Sequence, residues 1–441
     1  MPLAFPPSLP TSAPPVAAAA LTYVWIETEA GLRAVAGEWD GLLARMDRPS
    51  PFLCWEWIFT WWRHFGHAHD LRILTARRGG ELVGVAPLHL VTRRALGCVP
   101  VRSLELLGYQ GSAVCADHLD FLCEPGDAVG VVTGLLTEAL RRQDWDVLVL
   151  ADLAEESAAR TAWPALEPHR RWRQLADALS RAGIARRQSK SGLRATNGSD
   201  PGKKWPCHTA VVAAETCYFL PLPAEAGALW GEIKRHHPKL AGNVKYYGKR
   251  LRQGHAVRFQ PEVPAAERDA TVAALARLHG LARGRKGETG NFGRESYRRF
   301  HQALVERFAA AGKLYLARLD CDGGTVAVLY GFWQGGVLYY YQSGFDTGWS
   351  AFGIGTLLLA WVLEDAITRL GAREFDFLRG AEEYKTRWAS QARHTVTAYG
   401  WQRGWRARLS RWEWGMRRRL APARAWSGRQ WLRWRGRGAP T

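Results

Sequence analysis

The chain has 441 residues, a formal charge of +19, 22 Trp and 47% hydrophobic residues, too long for one ordinary domain and comfortable for two with a large core. So positive and Trp-rich a chain implies an anionic partner, whether a phosphate-bearing substrate, nucleic acid or a membrane surface. The seven Cys form no C-x-x-C pair, which excludes a zinc ribbon or disulfide framework and fits a reducing cytoplasm; no run approaches the roughly 18 apolar residues of a spanning helix, so the chain reads as soluble or peripheral.

In chain order, residues 1–21 read as a disordered leader, because the opening run lacks a basic n-region and prolines break its apolar stretch. Residues 71–92, LRILTARRGGELVGVAPLHLVT, read as two strands around an Arg-Gly-Gly turn. A helix, GVVTGLLTEALRRQ, and a strand, WDVLVLADL, follow within residues 130–153. The polar segment 185–206 is the linker. The grammar then repeats. Residues 314–333, LYLARLDCDGGTVAVLYGFW, form the same hairpin around Asp-Gly-Gly, and GTLLLAWVLEDAITRLG and REFDFLRGA supply helix and strand over 355–381. The expectation is an α/β (α+β) chain of two duplicated domains, residues 22–184 and 207–400, each a mostly antiparallel sheet flanked by helices.

The copies differ just before the helix. The second carries SAFGIGT, in which Gly353, Gly355 and Thr356 follow the strand VLYYYQSGFD. Glycines there let a ligand approach the backbone closely, and a helix N-terminus favours a pyrophosphate. The first copy has CEPGDAVG, whose Glu124 and Asp127 repel phosphate, so one cofactor site is expected, in the second half.

PFLCWEWIFTWW (51–62), LYYYQSGFD (338–346), GTLLL (355–359) and FDFLRGAEEYKTRW (375–388) together resemble the CelD/BcsL-type acyltransferases. These are GNAT-superfamily proteins of cellulose and exopolysaccharide biosynthesis with a tandem FemAB-like architecture. The resemblance implies an acyl-CoA-dependent transferase with tandem GNAT-like domains and acetyl-CoA or another acyl-CoA as co-substrate. GNAT proteins usually begin the phosphate loop with Gln or Arg, where this chain has Ser350. In the GNAT plan the pantetheine lies between two splayed strands, here 337–344 and 374–378, so Gln342 and Ser343 join Gly353, Gly355 and Thr356 as cofactor-binding residues. Acyl transfer also needs a proton acceptor and a donor for the leaving thiolate. The charged exit of the second strand supplies candidates: Tyr384 to protonate the thiolate, Glu383 as base, Lys385 for a substrate carboxylate or phosphate, and Asp376 as a further catalytic carboxylate.

Residues 232–252 read as a basic helix interrupted at Pro238 and Gly242, which the resemblance places at the start of the second domain, near the cleft between the halves. There Lys234, Arg235, Lys245 and Lys249 are expected to clamp a phosphate-linked or acidic acceptor, a small molecule or a lipid- or sugar-linked one. His236-His237, His67 and His69 lack companions at ligand spacing, so no metal is expected. From residue 401 onward Trp401, Trp405, Leu409, Trp412, Met416 and Leu420 mark one helical stripe amid arginines. That pattern fits an amphipathic helix on an anionic membrane surface, placing the protein peripherally at the inner face of the cytoplasmic membrane. No specific nucleic acid is expected. Two other readings share the fold: a Fem-like transferase using aminoacyl-tRNA, and a non-catalytic binder.

Overall fold

The computed structural model describes residues 20–109, 114–163, 208–284, 292, 294–380 and 382–419; the linker segment 185–206 and residues 420–441 lie outside the described residues. The first half starts with β1 (Leu21–Ile26), α1 (Glu29–Ala34), α2 (Ala36–Arg45) and α3 (Trp55–Phe65). Its strands β2 (Asp70–Leu71), β3 (Ile73–Arg78), β4 (Glu81–Ala86), β5 (Leu88–Ala95), β6 (Val99–Leu106) and β7 (Leu122–Cys123) lead to α4 (Ala128–Arg141), β8 (Val147–Ala154) and α5 (Ala158–Ala162). The second half runs β9 (His208–Pro221), α6 (Ala226–His236), α7 (Pro238–Gly254), β10 (Val257–Gln260), α8 (Arg268–Gly284) and α9 (Glu295–Ala310). It continues with β11 (Leu314–Cys321), β12 (Gly324–Gln334), β13 (Val337–Phe345), α10 (Ile354–Thr368), β14 (Glu374–Arg379), α11 (Glu383–Trp388) and β15 (Gln391–Trp401). A last helix, α12, covers 405–419.

Both expected hairpins form. Their turns use left-handed backbone, Gly79 and Gly80 at φ 59° and 90° in one and Asp322 and Gly323 at φ 50° and 81° in the other. Such turns match the twist of the flanking strands, which is why glycine recurs there. The strands make a four-stranded sheet, β1-β3-β4-β7, and an eleven-stranded one, β10-β11-β12-β13-β14-β9-β15-β8-β6-β5-β2. The large sheet passes through both halves. β15, from the chain's later part, pairs with β8 of the first half from Thr395 opposite Ala154 to Trp401 opposite Val147.

Aromatic side chains join the halves. Phe52 and Trp57, from PFLCWEWIFTWW, pack edge to face at 4.8 Å, and Trp57 meets Phe300 of α9 at 5.4 Å. Phe52 also reaches Phe332 of β12 at 6.0 Å. Phe52, Trp57, Phe300 and Phe332 are fully buried, so part of the heavy Trp load serves this seam. Beside it Lys313 donates to Glu56 at 2.8 Å across the two halves.

Two expectations about helices change. The basic segment breaks only at His237-Pro238, where α6 ends and α7 begins with Pro at its first position. Gly242 lies within α7, because α7 rests on other elements and tolerates the roughly 1 kcal/mol a helical glycine costs. Trp401 is not on the tail helix. It ends β15, is 2% exposed, and stacks on Tyr399 with Trp414 of α12 against it at 5.1 Å. Among the described residues no helix is long and apolar enough to cross a membrane.

Candidate active site

β13 and β14 run parallel for three rungs, Val337 opposite Glu374, Leu338 opposite Phe375 and Tyr339 opposite Asp376. Beyond Tyr339 and Asp376 no further rung joins them, and the strands part. Two irregularities cause this. β13 shifts register against β12 between Tyr330 and Gly331, leaving Tyr341 as an extra residue, and a bulge of that kind bends a strand. β14 loses register against β9 after Asp376, and Leu378 takes φ 55° while its N–H turns back to the Asp376 carboxylate at 2.7 Å. A left-handed branched residue is strained and persists only where its surroundings over-determine it. Here Lys385 supplies part of that restraint, its Nζ donating to the carbonyl oxygens of Leu378 at 3.5 Å and Arg379 at 2.5 Å.

The opened strand leads directly to a helix N-terminus. After β13, Asp346 caps the turn Thr347–Phe352, Gly353 adopts φ 58°, and α10 begins. No side chain caps α10, so no side-chain acceptor offsets the positive end of its dipole. Gly353 is required twice over: its φ disfavours any side chain, and an added Cβ would lie 2.5 Å from the Tyr247 ring of α7. Arg250 of α7 donates to the Ala351 carbonyl at 3.3 Å and lies over Phe352. The segment 238–254 carries Lys239, Lys245, Lys249, Arg250 and Arg252 and no acidic residue. The basic helix therefore flanks the glycine turn, not the cleft between the halves. This corrects the expected position of Lys245 and Lys249, which are exposed on its outer face. Lys234 and Arg235 are exposed at the end of α6.

The other face of the V holds a buried ion network. His118 Nε2 lies 2.9 Å from Asp376 Oδ2, and Arg393 donates to the same oxygen at 2.6 Å. Arg393 also bonds Glu374 and covers the Phe219 ring at 4.2 Å. Burial alone would raise the Asp376 carboxyl, but the His118 ring, the Arg393 guanidinium and the Leu378 N–H outweigh it and hold the group at about 2. His118 belongs to the first half. Arg379 locks its segment in place by bonding Asp117, donating to the Ala116 carbonyl at 2.6 Å and pairing with Asp152 at 2.8 Å.

Of the residues singled out from sequence, Gln342 and Ser343 lie on the β13 arm beyond the last shared rung. Gln342 bonds His279 at 2.9 Å, and Ser343 bonds the Tyr340 hydroxyl. Tyr384 reaches that hydroxyl from α11 at 3.4 Å, and burial, reinforced by Tyr340, raises its phenol far above the ordinary value, keeping it protonated. Gly355 and Thr356 lie in the first turn of α10. Glu383 is not brought to this group; its carboxylate is exposed and bonds Arg387 one turn along. Lys385 is buried and spent on the end of β14. Sequence reading missed His118, Arg393, Tyr340 and Tyr247. His118 had no local signal to give, since it meets Asp376 across 258 residues of chain. Among the described residues no group of three or more His, Cys, Asp or Glu could hold a metal ion.

The first half repeats the parallel pair and closes it. Ser103, Leu104 and Glu105 of β6 face Val147, Leu148 and Val149 of β8 in three parallel rungs. Further along, Leu119 bridges Leu153 in parallel, its N–H bonded to the Asp152 carbonyl at 3.1 Å. β15 already holds the other edge of β8, with Val396 opposite Leu153, so Leu119 fills the place β6 has left. The helix N-terminus is closed as well, because Arg78 pairs with both Glu124 and Asp127 there.

Residues 238–386, from the start of α7 into α11, match the family model described as an acetyltransferase (GNAT) domain. Among solved structures, FemX superposes with a TM-score of 0.53 at 10% identity, covering 82% of this chain and 95% of FemX. A conserved protein of unknown function from Bacteroides thetaiotaomicron gives 0.48 at 11% identity, covering 86% of this chain and 100% of that one. A tandem GNAT protein from the clavulanic acid biosynthesis pathway gives 0.40 at 14% identity, over 86% and 98%. No curated protein matches the chain. Over most of its length the chain thus shares the fold of FemX, and the matched acetyltransferase domain lies in the half whose parallel pair is open.

Proposed function

We propose that the protein is an acyl-CoA-dependent acyltransferase that acylates an amine or hydroxyl of a cell-envelope or exopolysaccharide (cellulose-type) precursor. The observation that carries this reading is the open pair β13–β14 leading straight into the uncapped, basic-flanked N-terminus of α10. The thioester arm lies between the strands, and its phosphates sit at the glycine turn beside α7. The acceptor class rests on the sequence resemblance.

Proton-transfer groups flank the V from opposite faces. Tyr340, Phe375 and Phe377 pack on the α10 side, with Tyr384 at the Tyr340 hydroxyl, whereas Tyr339 and Tyr341 pack toward the first half, where His118 meets Asp376. Asp376 holds the proton of His118 on Nε2, which leaves Nδ1 to accept the proton of the attacking amine or hydroxyl. The nucleophile forms its bond to the thioester carbon, the carbon–sulfur bond breaks, and the leaving thiolate takes a proton from Tyr384. Asp376 and Arg393 position the histidine.

The test is a thermal-shift titration with acetyl-CoA, a long-chain acyl-CoA and free CoA, on wild type and Gly355→Asp. Ligand at a hundred times its Kd stabilises the folded state by about 2.7 kcal/mol, a shift of a few degrees. The expected result is a shift in wild type that the new carboxylate removes. The second reading, an aminoacyl-tRNA donor, draws on the acid-free basic face of α7. A steeply salt-dependent shift with charged tRNA, and none with any CoA species, would select it.

A further inference from the structure

The helix α12 has two apolar faces, and only one is used by the protein. Ala407 is fully buried and Trp414 packs on Tyr399 and Trp401. At about 100° per residue, Trp405, Trp412 and Met416 fall on the opposite side of the helix. They are 63%, 53% and 38% exposed. Leu96, 48% exposed, adjoins this side, its N–H donating to Glu413 at 3.1 Å. The surroundings are cationic. Arg403, Arg408, Arg411, Arg417, Arg418 and Arg419 are exposed, while the single carboxylate of the helix, Glu413, is engaged by Leu96 and Arg417.

From this juxtaposition we infer that the Trp405–Trp412–Met416 face of α12 is a docking surface for an anionic lipid bilayer. Indole rings favour the headgroup level of a bilayer, and arginines around them are drawn to anionic lipid. A second copy of the chain fits the surface poorly, because an isologous contact would face one arginine ring with another. The docked face fixes the helix axis parallel to the protein surface, so the exposed face enters the interface without refolding. The inference is independent of the donor and acceptor in the proposed reaction.

The test is flotation of the full chain with vesicles of equimolar phosphatidylglycerol and phosphatidylcholine, and with vesicles of phosphatidylcholine alone. The double variant Trp405→Ser/Trp412→Ser is run beside wild type, with thermal unfolding as the folding control. The expected result is flotation with anionic vesicles only, weakened by salt and reduced at least about tenfold in the variant. Three results would overturn the inference: no flotation of wild type, equal flotation with neutral vesicles, or flotation unchanged in the variant. Sedimentation showing a dimer that the same variant abolishes, without vesicle binding, would give the surface to a second copy instead.

Discussion

The two halves are built alike around one feature and differ in what they do with it. Each brings two parallel strands together for three rungs and then lets them part. In the first half Leu119 enters the gap beside Leu153, and Asp120 anchors the inserted segment by accepting from the N–H groups of Ala158 and Ala159 at 2.8 and 3.0 Å. In the second half no described strand enters on the β13 side of Phe377–Arg379, while β9 holds the other edge. The inserted segment instead presents His118 to Asp376 and Asp117 to Arg379. One half thus gives up its own cleft and contributes a side chain to the other's, a division of labour that duplication permits because one open V suffices.

The largest expected effect tests that contribution. His118→Ala removes the proposed proton acceptor and should lower kcat by about 10²- to 10⁴-fold, with the acyl-CoA-induced thermal shift retained. Asp376→Asn keeps the shape but not the charge that orients His118, and should lower kcat while leaving the acyl-CoA-induced thermal shift in place. Steady-state rates with an acceptor amine or hydroxyl, across pH, check both. Unaltered kcat in His118→Ala would leave the first half a scaffold only.

Leu119→Ala strikes the closed V. A fully buried leucine so truncated typically costs about 2–5 kcal/mol, read from denaturant unfolding. The acyl-CoA shift at the other V should persist, and a second ligand site appearing in this variant would mean the inserted segment had been masking a working cleft.

Each half also buries a neutral histidine, His89 in the first and His301 in the second, and burial lowers both to about 3. The unfolded chain protonates these rings below roughly pH 6.5 while the folded chain resists. Their stability contribution is therefore complete above that pH and declines as pH falls toward 3. His301→Phe should remove its share of the acid destabilisation, on the order of 3 kcal/mol between pH 6.5 and 4. Urea unfolding at the two pH values measures it, and an unchanged slope would contradict the burial account.

Much of the scaffold was readable from sequence because it is encoded locally. The Gly-Gly turns, the apolar helix after SAFGIGT and the strand EFDFL carry their own periodicity and punctuation, and each appears where expected. The tail helix was half readable. Its spacing gave the Trp405–Trp412–Met416 face, but not the strand that takes Trp401 or the docking of Trp414, which depend on β8 and β9 lying alongside. The site was readable only on the β13–β14 side. Asp376 stood in a core strand, and nothing near it in sequence named His118 as its partner. Lys385 shows the same limit: a lysine after a strand looks solvent-facing until the left-handed Leu378 turns carbonyl groups toward it.

The most direct measurement is hydrogen–deuterium exchange of the full chain with and without acetyl-CoA. The account predicts slowed exchange in residues 340–345, 353–357 and 377–380, with the equivalent strands at 104–107 and 149–153 unchanged. Protection appearing at the first-half strands, or at neither pair while the ligand is bound, would contradict it.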